Sequence, residues 1–482
     1  MHTLAYIGPG GGVTVGALLV ILIGGLVLFA FGFIVWLRIK RFMRGQGKAK
    51  WGVKLATQLV ALLALLSVFS WMAQHRAKKD RDFGAMNGVV ELLSGFPDRF
   101  KQSVEEVQTL PQTFVKTPDG FERENRLGQD VLTLTAFSNP DQGRTIAVRN
   151  LRDGQLLHEW TLPETLGEWK PHWRIHHPLL LEEKSVVGFF TNRSPLFRLD
   201  SASNLVWRQD SLTFHHAINR AANGDLWACT MRWEKGGRYI GYRGRYRLGD
   251  RTVNFLDNSI ARLDAKTGQI LEVVSMTEML KNNGLEHLIL RSGDPQDPLH
   301  LNDVEPALTS SDHFKRDDLF LSFRNLQSVI QYRPSTGEVI RVIDGPLASQ
   351  HDVDILNDST LVIFNNNVQE NNGVHINQRE KYPISKEQVE LKQYHSEVTL
   401  YGLASDVFVP LFPDLMADVG MMTASEGLQE ALPGGHWFVE EQNAGELWVL
   451  GPSGVLYHDV HASHHEGHHH LPNWTRVLPT FP

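Results

Sequence analysis

The chain has 482 residues, 47 Lys and Arg against 54 Asp and Glu, a net charge of −7 and 42% hydrophobic residues. No basic excess points to nucleic acid as a main partner, and the one cysteine, Cys229, excludes an intrachain disulfide framework. The length exceeds one small core, so one large repetitive domain or two to three ordinary ones are expected.

The average composition hides a split chain. Val13–Leu37 is a run of 25 uncharged residues, and Leu55–Met72 is a second run of 18. The first exceeds the ~20 residues a helix needs to cross the hydrocarbon core. Between them lie Arg38, Lys40, Arg41, Arg44, Lys48, Lys50 and Lys54 with no acidic residue. A basic short loop marks the cytoplasmic side. Two transmembrane helices over 1–75 are therefore expected, with everything after about residue 76 on the extracytoplasmic side. The first run is too long for a signal peptide and lacks a basic leader. Membrane lipid is thus an expected partner through the two helices, and a membrane protein is a further candidate.

Residues 76–125 mix charge with helical spacing (Val89, Val90, Leu92, Leu93, Phe100, Val104, Val107), and Pro97 and Pro111 interrupt them. This predicts a short juxtamembrane helical linker. From about Val131 the pattern becomes short alternating runs between Gly, Asn and Asp, the signature of strands and turns. One strand–turn–strand unit recurs at Asn150–Trp160, Leu263–Val273, Tyr332–Val342 and Leu450–His458. A degenerate copy at Leu199–Trp207 has Asn204 in the glycine position. Repeated four-strand units indicate a β-propeller. The blades are read at about 131–162, 172–212, 214–276, 300–345, 350–410 and 420–461. The expected fold is all-β: a six-bladed β-propeller over 126–482, preceded by the membrane helices and the linker.

Within that frame, Phe214–Trp227 (FHHAINRAANGDLW) and Ser349–Asn367 (SQHDVDILNDSTLVIFNNN) share a layout, a histidine just ahead of an alternating strand pair. His300-Leu301-Asn302-Asp303-Val304 is a looser third copy. In a ring of blades these positions bring His216, His300 and His351 together around one funnel. Arg324 follows the apolar strand Leu319–Phe323 and is read as facing the same funnel, because unpaired burial of a charge is expensive. His215, next to His216, is read as pointing away, since strand neighbours alternate faces. Asn302, Asp303 and Asp352 are candidates for the substrate-binding mouth, turn-forming or strand-capping roles suit Asn302 and Asp303 equally, and either aspartate is a candidate for fixing the His351 tautomer.

The blocks FHHAINRAANGDLWA, LHLNDVEPA, LFLSFRNLQSVIQY and QHDVDILNDSTLVIFNNN, in this order, resemble the bacterial arylsulfotransferases. The resemblance spans about 130–480 and is strongest over 214–367. It implies a six-bladed propeller that moves a sulfuryl group from a phenolic sulfate ester to another hydroxyl by a ping-pong route through a sulfated histidine. It further implies that His351 is the nucleophile, that His216 and His300 support it, and that Arg324 binds the sulfate. An aryl sulfate donor and a hydroxyl acceptor are the implied partners, with the propeller on the periplasmic side of a bacterial inner membrane. Two features depart from the family pattern: Ala217 stands where relatives often carry an acidic residue, and two apolar runs replace a cleaved leader and a disulfide.

The residues suit that chemistry on their own terms. Histidine serves as nucleophile or proton donor near neutral pH, and an arginine fork suits a tetrahedral oxyanion. They suit two other readings as well: transfer or hydrolysis of another anionic ester such as a phosphoryl group, and a non-catalytic propeller that binds an envelope glycan or protein. No P-loop, dinucleotide fingerprint or Ser-His-Asp pattern is present, and neither cofactor nor metal is expected. Lys235–Arg251, rich in Gly and Arg, reads as a solvated insertion or as a guide for anions. The dense histidines at 458–470 read as a mobile loop or a metal-capturing segment.

Overall fold

In the computed structural model the described residues are 113–482 apart from 139–143, 168–172, 194, 232–242, 249–250, 293, 295–296, 369, 372–373 and 376–394; before residue 113 they are 36, 40, 63–65, 67–75, 83–84, 86 and 90. Two compact units result, Met1–Leu110 and Pro111–Pro482. In the first, residues 67–75 are helical and the Trp71 ring meets His75 at 4.9 Å and Phe83 at 5.5 Å. Among the described residues no helix is long and apolar enough to cross a membrane. All of the apolar run 13–37 except residue 36, and half of the run 55–72, lies outside the described residues.

In the second unit the described residues form six antiparallel blades. Their first strands are Arg476–Leu478, Ile175–Leu180, Thr213–Arg220, Leu301–Pro306, Val353–Asn357 and Leu428–Leu432. These strands brace one another around an axis. Asn219 of blade three donates to Val304 O of blade four (3.1 Å), and Asn302 donates to Gln350 O ahead of blade five (2.9 Å). Gln429 of blade six donates to Asp352 (3.0 Å), and Arg476 donates to Pro178 O of blade two (3.0 Å). The outer faces pack blade against blade, for example Leu134, Ile146 and Trp160 of blade one on Phe190 and Phe197 of blade two. That burial of apolar faces is the main stabilising term.

Six blades agree with the six read from the sequence. The recurring turn agrees as well: Gly154, Gly268 and Gly337 have φ of 73°, 70° and 73°. In the degenerate copy, however, the left-handed residue is Ser203 (φ 67°) rather than Asn204. Asn204 instead donates its backbone N–H to Asp200 Oδ1 (2.8 Å), so the local Asp side chain, not the amide residue, shapes that turn.

Three features differ from the sequence reading. The last stretch, beyond the sixth blade as read at 420–461, supplies the strand that closes the ring, with Leu132↔Leu478 and Leu134↔Arg476 in register. The segment read as the end of a helical linker is extended: Phe114–Lys116 pairs with His468–His470, and Glu124–Asn125 adds a fifth strand to blade six. Unpaired sheet edges recruit any nearby extended chain, which overrides a weak helical pattern. The histidine-rich segment is therefore ordered. His469 contacts Thr117 Oγ1 (3.0 Å) and Ala444 O (2.6 Å), and among the described residues no His, Cys, Asp or Glu group is arranged to hold a metal ion. Much of Lys235–Arg251 lies outside the described residues; Arg243–Leu248 and Arg251–Leu256 form a hairpin inserted in blade three.

Candidate active site

Each first strand has, within it or shortly ahead of it, a residue in the left-handed region: His177 (φ 41°), His216 (55°), His300 (46°), Ser349 (57°), Glu426 (62°) and Trp474 (59°). None is glycine, so each conformation costs on the order of 1–3 kcal/mol and persists only where its surroundings impose it. In blades two to four the strand register also slips beside this residue, between His176 and Leu179, Phe214 and Ile218, and Leu301 and Asp303. A bulge there re-aims the side chain from the sheet face toward the axis.

The result is a histidine cluster at one end of the channel. The His216 ring lies 5.3 Å from His300, 5.9 Å from His351, 5.6 Å from His176 and 5.2 Å from His215. Fully buried Trp474 forms the floor, 5.9 Å from His216 and 6.3 Å from His351. His216, His300 and His351, read as convergent in the sequence, do converge. His176 and His177 are additions that the sequence reading passed over, and His215 differs from it. Rather than pointing away, His215 lines a cavity of about 300 Å³ with His216, His300, Asp297, Arg193 and Met231. The bulge breaks the alternation on which the outward reading rested.

His351 is bound at both nitrogens. Its Nδ1 donates to Asn366 Oδ1 (2.7 Å) and Ser349 O (2.9 Å), and its Nε2 accepts the Glu426 backbone N–H (2.9 Å). Asn366 is oriented by its own donation to Thr423 O and Glu426 O (2.9 and 2.8 Å). The Nδ1–H tautomer follows, with the Nε2 lone pair facing Glu426 N–H. Burial, reinforced by the Arg324 guanidinium, holds this imidazole well below its ordinary pKa and therefore neutral. Arg324 is 6% exposed, donates its backbone N–H to His300 O (3.0 Å) and reaches Asn325 Oδ1 (3.1 Å). Around this cluster, Arg174 forms a fork with the Glu426 carboxylate (3.3 and 3.5 Å), and Arg193 lies over the Trp173 ring at 5.3 Å.

His300 differs from the others in having a carboxylate partner, Asp297 Oδ2 at 2.6 Å from its Nδ1. The carboxylates expected to orient His351 do not reach it. Asp303 accepts from Asn219 Nδ2 (3.2 Å), Val304 N (2.8 Å) and Val353 N (3.1 Å), and Asp352 accepts from Gln429 N and Nε2 (3.2 and 3.0 Å). With Asn302, they brace neighbouring first strands and do not line the cavity. For Asp303 the register slip after Leu301 turns the side chain from the mouth toward the neighbouring strands, and Asp352 is drawn aside by Gln429 of blade six.

Below Trp474, Asp303, Glu305, Asp352, Asp354 and Glu430 surround the buried Arg476, which also contacts His177 Nδ1 (3.2 Å), Asn219 Oδ1 (2.8 Å) and Ile218 O. Burial, then repulsion from Asp354, raises Asp303 to about 7 and Glu430 to about 8, and burial raises Asp354 to about 6. The native chain thus keeps protons that the unfolded chain gives up near pH 4. The stabilising contribution of these carboxyls is full below about pH 4 and is lost as pH rises through about 6 to 8. The buried histidines act oppositely, but only below about pH 6.5, where the unfolded chain alone takes up their protons. The melting temperature is therefore expected to fall between pH 6 and pH 8.5. A scan that rises steadily across that interval contradicts the assignment.

Among solved structures, similar ones include a protein of unknown function from Bacteroides caccae. It is 9% identical, covers 68% of this chain and 93% of its own, and has a TM-score of 0.42. Virginiamycin B lyase from Staphylococcus aureus is 12% identical (73% and 90% covered, TM-score 0.35), and TolB from Acinetobacter baumannii is 9% identical (82% and 73%, TM-score 0.37). No curated protein matches the chain. A family model described as Arylsulfotransferase (ASST) matches residues 177–454, more than half of the chain, and the protein therefore belongs to the arylsulfotransferase family of sulfotransferase-like enzymes.

Proposed function

We propose that this chain is a membrane-anchored, extracytoplasmic sulfotransferase that moves a sulfuryl group from an aryl sulfate ester to an acceptor hydroxyl through a sulfated His351. The observation that carries this reading is the meeting of His300 and His351 at His216, with ring centres 5.3 and 5.9 Å from its own, in a chain of this family. In the first half-reaction the His351 Nε2–S bond forms and the aryl O–S bond breaks. In the second, the acceptor oxygen bonds to sulfur, Nε2 leaves, and the acceptor proton passes to a base. The neutral state of His351 supports its role as nucleophile. For attack, the Glu426 N–H must turn from Nε2 to a donor oxygen, where a backbone amide is a useful partner for developing negative charge.

Arg324 is assigned to those oxygens, and its proximity to His351 supports this. Losing one such donor costs about 2.7–4 kcal/mol in the transition state. Arg324→Ala is thus expected to slow turnover by about two to three orders of magnitude. Steady-state rates on 4-nitrophenyl sulfate, with a melting curve to confirm folding, check this; normal turnover removes Arg324 from the site. The reaction itself is tested with 4-nitrophenyl sulfate and phenol, following nitrophenolate and phenyl sulfate, and by mass spectrometry for sulfate on the His351 peptide. Release that ignores phenol indicates hydrolysis, and no release indicates a binding module.

The uncharged runs at 13–37 and 55–72 and the basic residues between them support the anchor and the outward propeller. Reporter fusions at residues 46 and 110 test this: cytoplasmic signal at the first and periplasmic signal at the second are expected.

A further inference from the structure

We infer that Asp297 is a positioning residue for this reaction, orienting His300 so that its Nε2 hands a proton to the departing aryl oxygen and takes one from the acceptor hydroxyl. The inference rests on the sulfotransferase reading above. It adds a residue and divides labour among histidines that otherwise look equivalent.

Of the three convergent histidines, only His300 has a carboxylate within hydrogen-bond distance among the contacts of the described residues (Asp297 Oδ2, 2.6 Å). His351 spends its Nδ1–H on two carbonyl oxygens, and the buried His216 Nδ1 has no partner. A carboxylate on Nδ1 sets the tautomer that leaves Nε2 outward, and it stabilises the imidazolium that a proton donor must pass through. Access points the same way. The His300 side chain is 30% exposed and lines the cavity, whereas His351 is 1% exposed. A proton donor has to meet the leaving oxygen and then the acceptor hydroxyl.

Asp297 is itself held. Asn258 Nδ2 donates to its Oδ1 (3.2 Å), and Asn325 Nδ2 donates to its carbonyl (2.6 Å). Asn258 Oδ1 accepts the N–H of Leu301, beside His300, so one amide fixes both ends of the pair. Burial pushes the Asp297 carboxyl up, yet His300 beside it, with His215 and Asn258, brings it below its ordinary value and keeps it an anion. Protons balance over the cycle. In the first half-reaction the His300 imidazolium gives its Nε2–H to the aryl oxygen as the O–S bond breaks and the His351 Nε2–S bond forms, which leaves His300 as the Nδ1–H tautomer on Asp297. In the second, the acceptor O–H proton returns to His300 Nε2 as the new O–S bond forms and the Nε2–S bond breaks.

The test is Asp297→Asn in the full chain, assayed with two donors, phenyl sulfate and 4-nitrophenyl sulfate. Phenoxide is a poor leaving group and needs the proton; nitrophenoxide leaves with little help. Turnover of phenyl sulfate is expected to fall about 100-fold, and that of 4-nitrophenyl sulfate less than about tenfold, with KM for both nearly unchanged. Asp297→Glu is expected to recover part of the phenyl sulfate rate. In a His300→Asn background Asp297→Asn is expected to add little, because the two residues act as one unit. Equal losses on both donors, or full additivity with His300→Asn, overturn the inference while leaving the transferase reading in place. A wild-type chain that turns over neither ester overturns that reading and the inference with it. If the Asn variant melts at the assay temperature, the Glu variant is judged by the same donor ratio.

Discussion

His351→Ala is expected to reduce sulfuryl transfer by at least about 10⁴-fold, because losing a nucleophile removes the covalent route and not a single contact. No neighbour is placed to take over. His300 is committed to Asp297, and His216, though 5.9 Å from His351, is half-buried with its buried Nδ1 unpartnered. Alanine also leaves Asn366 Oδ1 and the Glu426 N–H without their partner, at about 1–3 kcal/mol for each buried group. Activity loss from alanine alone therefore mixes chemistry with stability. His351→Asn separates them, since an asparagine Nδ2 can occupy the position of Nδ1–H while offering no Nε2. The Asn variant is expected to melt closer to wild type and to be as inactive as the alanine variant. Nitrophenolate release, a melting curve and the mass of the active-site peptide check all three statements. Retention of about a tenth of the activity, or sulfate found on the His300 peptide, moves the nucleophile elsewhere.

The blade count and the meeting of the three histidines are legible in the chain because both rest on repetition. Turns with Gly154, Gly268 and Gly337 recur at matching positions, and a histidine stands at the start of three first strands. What repetition does not carry is the direction of each side chain. Strict alternation aims His215 outward, and the bulge beside His216 reverses it; Asp303 and Asp352, read at the mouth, are claimed instead by neighbouring first strands. The doublet His176-His177 mirrors His215-His216 and is the signal that could have revealed the second blade's contribution. Asp297 lies in the sequence Asp-Pro-Gln-Asp-Pro over 294–298, a composition in which polar residues ordinarily serve turns, so nothing local separates it from its neighbours. Trp474 and Arg476 are long-range residues, visible as functional only once the ring is closed.

That closure supports the second large expectation, that a chain ending at Asn473 does not form a cooperative propeller. The deleted strand touches four blades. Trp474 N and Thr475 N donate to the Glu440 carboxylate of blade six (2.8 and 3.0 Å), and Thr475 Oγ1 meets Thr135 of blade one (3.0 Å). Arg476 binds Pro178 O of blade two and Asn219 of blade three. Removing a buried tryptophan costs about 3–5 kcal/mol, and removing the one cation from a buried set of carboxylates costs a similar amount. The truncation takes both, along with the ladder on Leu132–Leu134, and the sum approaches the 5–15 kcal/mol typical of a whole domain. It also bares the edge of Leu132–Ser138, a template for intermolecular pairing. Aggregation without a sharp melting transition is expected for the truncated chain, whereas Trp474→Ala alone folds, melts lower and loses the floor under His216 and His351. A truncated chain that melts within a few degrees of the full one would show that the ring closes without this strand, and the floor of the site would then need another source.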